Sequence, residues 1–362
     1  MTTKILAFAD FPSPYRVEIF KGLAKRYNLF VVFDKMSDQN RNSAWFCQNT
    51  GLNSISLLGE MGRQQFDKEL KHIREYDLVL AYDYHVKNAI KLELVCIRNK
   101  VPYVMNLDGA FIRKNPIKNL IKRYLIKHAT GYFASGIHAA NYFKKFGADA
   151  ERIFYHPFTS LHANEILKEP ISEDKKTEYR KKLGLGQRKI ILSIGQFIHR
   201  KGFDILLKAW DKTLDEKYSL VIVGGGEEEA KYRLYISKHD LQNVYLLDFK
   251  SKDEVFEYYK AANVFVLPTR EDIWGLVINE AMAFGLPVIS TNMCLGAMEL
   301  IENGVNGYIV PSNNSQALNA AISEIMEKDL AKIGIANINK ISGYTYENVI
   351  RAHTEAIEKI LH

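Results

Sequence analysis

The stretch Leu267-Pro-Thr-Arg-Glu-Asp-Ile-Trp-Gly-Leu-Val-Ile-Asn-Glu-Ala-Met-Ala-Phe-Gly-Leu-Pro-Val-Ile-Ser290 reads as strand, loop, helix, tight turn and strand in immediate succession. The apolar run that ends at Leu267 does not alternate with polar residues, so it suits a strand covered on both faces. Gly285 stops the helix and Pro287 opens the next strand. Gly275 starts the helix unencumbered, which leaves the amides of Gly275, Leu276 and Val277 able to face an anion. Glu280 falls on the same face as Leu276, one turn further in. A carboxylate there can take both hydroxyls of a ribose whose phosphates rest on the helix N-terminus. Asp272 stands in the loop over the same point, where it can accept hydrogen bonds from a sugar beyond the phosphates. A lone helical Glu is usually just solvated, but the full strand–loop–helix–Gly–Pro context argues for a ligand.

A second segment, Ile190-Ile-Leu-Ser-Ile-Gly-Gln-Phe-Ile-His-Arg-Lys-Gly-Phe-Asp204, supplies the matching cations. A strand ends at Gly195, where backbone can pass close to a ligand. Arg200 and Lys201 suit a diphosphate leaving group, whose charge they would neutralise as it develops. The plain alternative is a pair of solvated cations at a turn. A Walker A loop is excluded, because Arg200 stands where Gly is needed and Gly202 where Ser or Thr is needed. The triglycine of Val221-Ile-Val-Gly-Gly-Gly-Glu-Glu-Glu229 fails as a dinucleotide fingerprint, since Glu229 holds the third Gly position. Its acidic sequel repels phosphate, and a tight strand–helix turn is its reading.

The same alternation of short apolar strands and helices runs through the chain. Strands are expected at Lys4–Ala9, Leu29–Phe33, Asp77–Tyr82, Val101–Asn106 and Gly131–Ala134, with a helix over Val17–Tyr27. They restart at Lys189–Ile194, Ser219–Val223, Val244–Leu247, Val264–Leu267, Pro287–Ser290 and Gly307–Val310. Between the two series, His162–Gln187 is charged and poor in strand signals, as a connection would be. The pattern predicts an α/β fold of two doubly wound domains with a cleft between them. Their bounds are 1–165, a linker 166–188, 189–341, and a closing helix within 342–362. That helix is apolar at Val349, Ile350, His353, Ile357, Ile360 and Leu361.

Size and composition agree. A chain of 362 residues suits two domains, and 47% apolar with 25% charged residues excludes disorder, collagen-like repeats and a disulfide-stapled miniprotein. No apolar run is long enough to span a membrane, and Ile5–Ala9 is too short for a signal-peptide core, so the expected location is cytoplasmic. Cys47, Cys96 and Cys294 lie far apart and read as reduced thiols rather than a zinc site. The net charge of +7 is uneven: residues 1–170 hold 25 Lys/Arg against 16 Asp/Glu, and the rest hold 24 against 26. From Gly109 to Ala148 there is no acid, but eight bases: Arg113, Lys114, Lys118, Lys122, Arg123, Lys127, Lys144 and Lys145. From Pro116 onward, Ile117, Leu120, Ile121, Tyr124 and Leu125 form an apolar helix face ringed by these cations. That is the composition of an interfacial helix on anionic lipid, with a sheet-packed helix as the plain alternative. No nucleic-acid-binding signature is evident.

On these residues the chain resembles the family-4 retaining glycosyltransferases of the GT-B fold. The resemblance spans nearly the whole chain and is strongest from Ile190 to Pro311. It implies transfer of a sugar from a nucleotide-sugar, UDP-sugar being favoured, to a hydroxyl of a lipid-linked or growing glycan. The anomeric configuration is retained, and neither a metal nor another cofactor takes part. The family's paired acids match Asp272 and Glu280. The first is usually Glu, and Glu271 stands directly before Asp272, so either carboxylate can meet the sugar. The family's diphosphate-holding Arg and Lys fall at Gln196 and Lys201, with Arg200 offering a substitute charge. The stretch Tyr245–Lys250, which contains Phe249, corresponds to where the family's backbone reads the nucleobase. The closing helix would cross back onto the N-terminal domain.

The first half departs from the family. The Gly-rich turn is replaced by Asp10-Phe-Pro-Ser-Pro-Tyr-Arg16, a rigid loop. The neighbourhood of the family's His reads Asn106-Leu-Asp-Gly109. Asp108 can meet the acceptor hydroxyl there, or Asp-Gly is a plain turn. Arg16, Arg113, Lys114, Lys118, Lys122 and Arg123 are the candidates on the acceptor or membrane side, peripheral on the membrane's inner face. A nucleotide-sugar epimerase of the same fold and a non-catalytic nucleotide-binding scaffold are the alternatives.

Overall fold

In the computed structural model, residues 2–37, 46–47 and 49–362 are described. The chain divides into two compact units, Met1–Ser160 with Tyr344–His362, and Leu161–Gly343.

Unit 1 runs β1 (Lys4–Ala9), α1 (Pro14–Ala24), β2 (Asn28–Phe33), β3 (Ser54–Ser56), α2 (Glu60–Lys71), β4 (Leu78–Ala81), α3 (Lys87–Asn99), β5 (Tyr103–Leu107), α4 (Pro116–His128), β6 (Gly131–Ala134), α5 (Ile137–Lys145) and β7 (Ile153–Tyr155). All strands are parallel, in the order β3-β2-β1-β4-β5-β6-β7. Successive strand residues enter opposite cores. Leu6, Phe8, Val79 and Met105 face α2–α5, while Ile5, Ala7, Leu78 and Val104 face α1. This two-sided burial is why the strands read as unbroken apolar runs. The short strands β3 and β7 escape sequence reading because Ser54-Ile-Ser56 and Ile153-Phe-Tyr155 are too brief to show a pattern.

Unit 2 runs α6 (Glu173–Lys182), β8 (Ile190–Ile194), α7 (Phe203–Ala209), α8 (Lys212–Lys217), β9 (Ser219–Val223), α9 (Glu229–Lys238), β10 (Val244–Leu247), α10 (Lys252–Ala261), β11 (Val264–Leu267), α11 (Leu276–Ala283), β12 (Val288–Thr291), α12 (Leu295–Leu300), β13 (Gly307–Val310), α13 (Ser315–Met326) and α14 (Leu330–Ile341). Its parallel order is β10-β9-β8-β11-β12-β13. The charged stretch read as a connection contributes to this unit. Arg180 of α6 is fully buried and donates to Asn263 Oδ1 at 2.5 Å, Glu173 Oε1 at 2.8 Å and the Ala261 carbonyl at 3.0 Å. One buried guanidinium with charge-assisted partners thus anchors a helix whose surface is otherwise polar.

The closing helix α15 (Tyr346–Leu361) belongs to unit 1. Thr345 caps it at the Asn348 amide, and Tyr346, Val349, Ala356 and Ile357 complete the core beside α1. Among the described residues, no helix is long and apolar enough to cross a membrane.

Candidate functional site

In a doubly wound sheet, the loops at the carboxyl ends of the strands part where the strand order reverses. In unit 2 that point lies between β8 and β11. The β8 loop carries Gly195, Gln196, Arg200 and Lys201, and the β11 loop carries Glu271, Asp272 and Gly275. Two segments 71 residues apart therefore meet. Lys201 Nζ lies 2.6 Å from Asp272 Oδ2, and Arg200 Nη1 lies 3.7 Å from the same oxygen. Arg200 Nη1 also donates to the Glu271 carbonyl at 2.7 Å. Asp272 Oδ1 accepts the Trp274 amide at 3.3 Å. Burial pushes the Asp272 carboxyl up, but Lys201, Arg200 and that amide outweigh it and hold it below the ordinary carboxylate range.

Two glycines permit this approach. Gly202 adopts φ +72°, and a Cβ there would drive into the Pro268 carbonyl. Gly275 adopts φ +79° as the N-cap of α11, where a Cβ would press on Leu267 and the Cys294 sulfur. Gly275 has no side chain, so the N-cap residue of α11 makes no side-chain hydrogen bond to its first turn. Leu276 and Val277 form its first turn, and Glu280 follows one turn in. Tyr259 of α10 donates to Glu280 Oε2 at 3.1 Å and to the Val277 carbonyl at 3.2 Å. Burial first and the Glu280 charge second push the Tyr259 hydroxyl well above its usual pKa, so it stays protonated and able to donate to Glu280. Phe249 is exposed in the loop after β10, separated from β8 by β9. Gln196 lies in the turn after β8, where its carbonyl accepts the Ile198 amide at 2.9 Å. The triglycine is the tight turn expected of it, with the Gly225 carbonyl accepting the Phe197 amide at 2.8 Å.

Sequence reasoning passed over the frame that supports this site. Trp274 is buried and donates from Nε1 to Asn279 Oδ1 at 2.9 Å, while the Cys294 thiol donates to the Trp274 carbonyl at 3.1 Å. Thr269 Oγ1 donates to the carbonyls of Arg200 and Glu271, at 3.0 and 3.1 Å. Arg270 sits inside the decisive motif, and its charge was a signal left unread.

Unit 1 has its own reversal point, between β1 and β4. There the structure brings Arg16 and Asp108 together, with Arg16 Nη2 2.7 Å from Asp108 Oδ2. Asn106 Nδ2 donates to Asp108 Oδ1 at 2.8 Å, and Ser135 Oγ donates to the Asp108 carbonyl at 3.0 Å. Of the two sides offered for Arg16, acceptor or membrane, its 3% exposure and its place 4.2 Å from the Tyr82 ring centroid exclude a membrane-facing surface. Burial works against its charge, but Asp108 and Asp83 more than offset this. Asp83 accepts the Asp10 amide at 2.8 Å, and burial raises its carboxyl. His156 and His353 pack edge to face, with ring centroids 4.7 Å apart. Burial lowers His156 to about 3 and His353 well below its usual value. No local motif marks this pair, because one histidine lies in the middle of the chain and the other in its last helix.

The basic segment divides into two faces. Leu125 and Ile126 of α4 are buried, whereas Ile117 and Leu120 are 75% and 70% exposed and Ile121 and Tyr124 are also exposed. Most of the apolar face read from the sequence therefore points to solvent, with Arg113, Lys114, Lys118 and Arg123 exposed around it. Lys122 differs from that expectation. It turns inward, donating to the Tyr142 hydroxyl at 2.8 Å and lying 5.5 Å from that ring's centroid.

Residues 175–340 match the family model described as glycosyl transferases, group 1. The chain is 36% identical over 142 residues to an uncharacterized glycosyltransferase of Haemophilus influenzae, covering 38% of this chain and 40% of that protein, so it spans well under two thirds of that relative. It is 25% identical over 315 residues to the capsular polysaccharide biosynthesis glycosyltransferase CapM of Staphylococcus aureus, 76% of this chain and 81% of that one. Among solved structures, Anabaena HepE in complex with UDP and glucose matches with a TM-score of 0.74 at 20% identity, covering 98% of this chain and 99% of that chain. The fold is that of the GT-B glycosyltransferases, with two Rossmann-like parallel-sheet domains.

Proposed function

We propose that the protein is a glycosyltransferase that moves a hexose-type sugar from a nucleotide-sugar, a UDP-sugar by preference, to a hydroxyl of a lipid-linked or growing glycan in cell-surface polysaccharide assembly. One observation carries the reading: Lys201, Arg200 and Asp272 converge at the reversal point of unit 2, Asp272 standing three residues before the glycine N-cap of α11. A departing diphosphate needs positive charge held ready and aimed. Arg200, Lys201 and the first amides of α11 supply it, in the role a metal ion would otherwise fill. Glu280 holds the ribose. Asp272, or Glu271 directly before it, faces the sugar. Retention of anomeric configuration rests on the resemblance of the paired acids to the retaining family. The UDP and glucose bound to HepE and the capsular role of CapM support the donor class and the pathway class.

In this reading unit 2 takes the donor, within residues 189–341, and unit 1 takes the acceptor near Arg16 and Asp108. The exposed apolar face of α4, ringed by Arg113, Lys114, Lys118 and Arg123, sits on anionic lipid at the cytoplasmic side of the membrane, where lipid-linked acceptors reside. The experiment is a thermal-shift series with UDP, GDP, TDP, ADP and CMP, each with and without EDTA. A ligand at 100 times its Kd stabilises by about 2.7 kcal/mol. One nucleotide that stabilises regardless of EDTA supports the reading and reduces the donor search to that nucleotide's sugars. Silence from all five refutes the donor site. Product analysis with the matching nucleotide-sugar then separates transfer from epimerisation.

A further inference from the structure

Three loops of unit 2 meet at Arg270, and its hydrogen bonds tie them together. Its backbone amide donates to the Arg200 carbonyl at 2.8 Å. Its Nη1 donates to the His199 carbonyl at 2.6 Å and to Asp204 Oδ1 at 2.7 Å, its Nη2 to Asp204 Oδ2 at 2.7 Å, and its Nε to Asn313 Oδ1 at 2.6 Å. Asp204 is in the first turn of α7, three residues after Lys201, and Arg270 is two residues before Asp272. The fork-to-carboxylate pairing fixes both distance and orientation, which a lysine could not do. The pair is partly sheltered, at 15% and 28% side-chain exposure, so solvent does not erase it.

We propose that the Arg270–Asp204 pair is a positioning device for the diphosphate site, holding the His199–Gly202 turn so that Lys201 and Arg200 both face Asp272. Loops position charge less accurately than strands or helices, and a site that stabilises a leaving group must be organised before the ligand arrives. The pair supplies that rigidity from outside. Arg270 is not itself a ligand of the diphosphate: its Nε, Nη1 and Nη2 all donate to protein oxygens, and its charge is matched by Asp204. For the identity of the ligand, the inference rests on the nucleotide-sugar reading above.

The test uses the full chain with Asp204→Asn, Arg270→Gln and Arg270→Lys, and Arg233→Ala on α9 as a control ion-pair loss away from the loops. Asp204→Asn is isosteric and keeps the packing. The first measurement is amide exchange without ligand. The amides of Lys201, Gly202 and Arg270, which donate to Ile198, His199 and Arg200, should exchange at least tenfold faster in all three variants. Amides of β8 and α11 should keep their rates, and Arg233→Ala should change nothing. The second is titration with UDP and with uridine. UDP affinity should fall about tenfold while uridine affinity holds, because the diphosphate half alone is displaced. Arg270→Lys should fail like Arg270→Gln. Unchanged exchange, or equal losses for UDP and uridine, overturns the proposal. A wild-type chain that binds no UDP refutes the donor reading instead, and the exchange result still decides the positioning role.

Discussion

Lys201 Nζ and Asp272 Oδ2 stand 2.6 Å apart in unit 2, joining the loops on either side of the point where the strand order reverses. Both side chains are nearly buried, at 13% and 10% exposure, so neither charge can be removed cheaply. Lys201→Met should cost about 3 kcal/mol, since it leaves a buried carboxylate with Arg200 at 3.7 Å as its remaining cation. Urea titration read by amide exchange of unit 2 measures this. Asp272 has a folded pKa below its unfolded one. Its contribution is therefore complete above the unfolded value of about 3.9 and fades as pH falls through the folded value. Asp272→Asn should abolish that acid limb; a variant with the same acid profile as wild type contradicts the assignment.

Glu280 should matter to ligand and hardly to fold. Tyr259 keeps the Val277 carbonyl at 3.2 Å as an acceptor when Glu280 is lost. Glu280→Ala should then weaken UDP binding by roughly 1.5–3 kcal/mol, the range for hydrogen bonds to a charged group, with an unchanged melting temperature. Calorimetric titration decides it, and unaltered UDP affinity removes Glu280 from the site.

The histidine pair makes unit 1 acid-sensitive. Both folded pKa values lie below the unfolded value of about 6.5, so the unfolded chain binds more protons and stability falls as pH falls below that value. With His156 at about 3, its share alone should approach about 2 kcal/mol at pH 5. The charge of Arg16 on α1 opposes protonation of both rings, and that of Asp108 after β5 favours it at His353. His156→Gln should make the stability of unit 1 fall less steeply between pH 6.5 and 4, leaving the His353 share, as followed by exchange of β5 and β6 amides. An unaltered slope counts against the buried neutral pair.

The outer face of α4 yields a prediction in two halves. Lys118, Arg123 and Lys127 are exposed, and each cation near an anionic surface contributes about 1 kcal/mol. Reversing all three to Glu should cut binding to phosphatidylglycerol-containing vesicles by more than a hundredfold in a sedimentation assay, and Ile117→Ser with Leu120→Ser should weaken it further. Lys122→Met should leave vesicle binding nearly intact and destabilise unit 1, because Lys122 is engaged by Tyr142. Equal loss from Lys122→Met would contradict the inward orientation.

Local sequence determined the elements. Ser219–Val223, Val244–Leu247, Val264–Leu267 and Gly131–Ala134 are bounded by signals a few residues away, because an unbroken apolar run between turn residues has few other ways to bury itself, and Tyr346–Leu361 by its helical spacing of apolar residues. Gly275, Glu280 and Asp272 were legible because their spacing is defined within one loop and one helix turn. Tertiary structure alone decided the rest. Which cation meets Asp272 depends on β8 and β11 being neighbours. Whether Arg16 is a surface charge or a buried partner of Asp108 depends on β1, β4 and β5 lying side by side. His156 and His353 meet because α15 returns to unit 1. The apolar residues of α4 faced core or solvent equally well by periodicity, since a helix pattern reports a face and not what covers it. Periodicity and capping act within a few residues of chain, whereas buried charge pairs are set by strand order, which brings together groups that no local spacing connects.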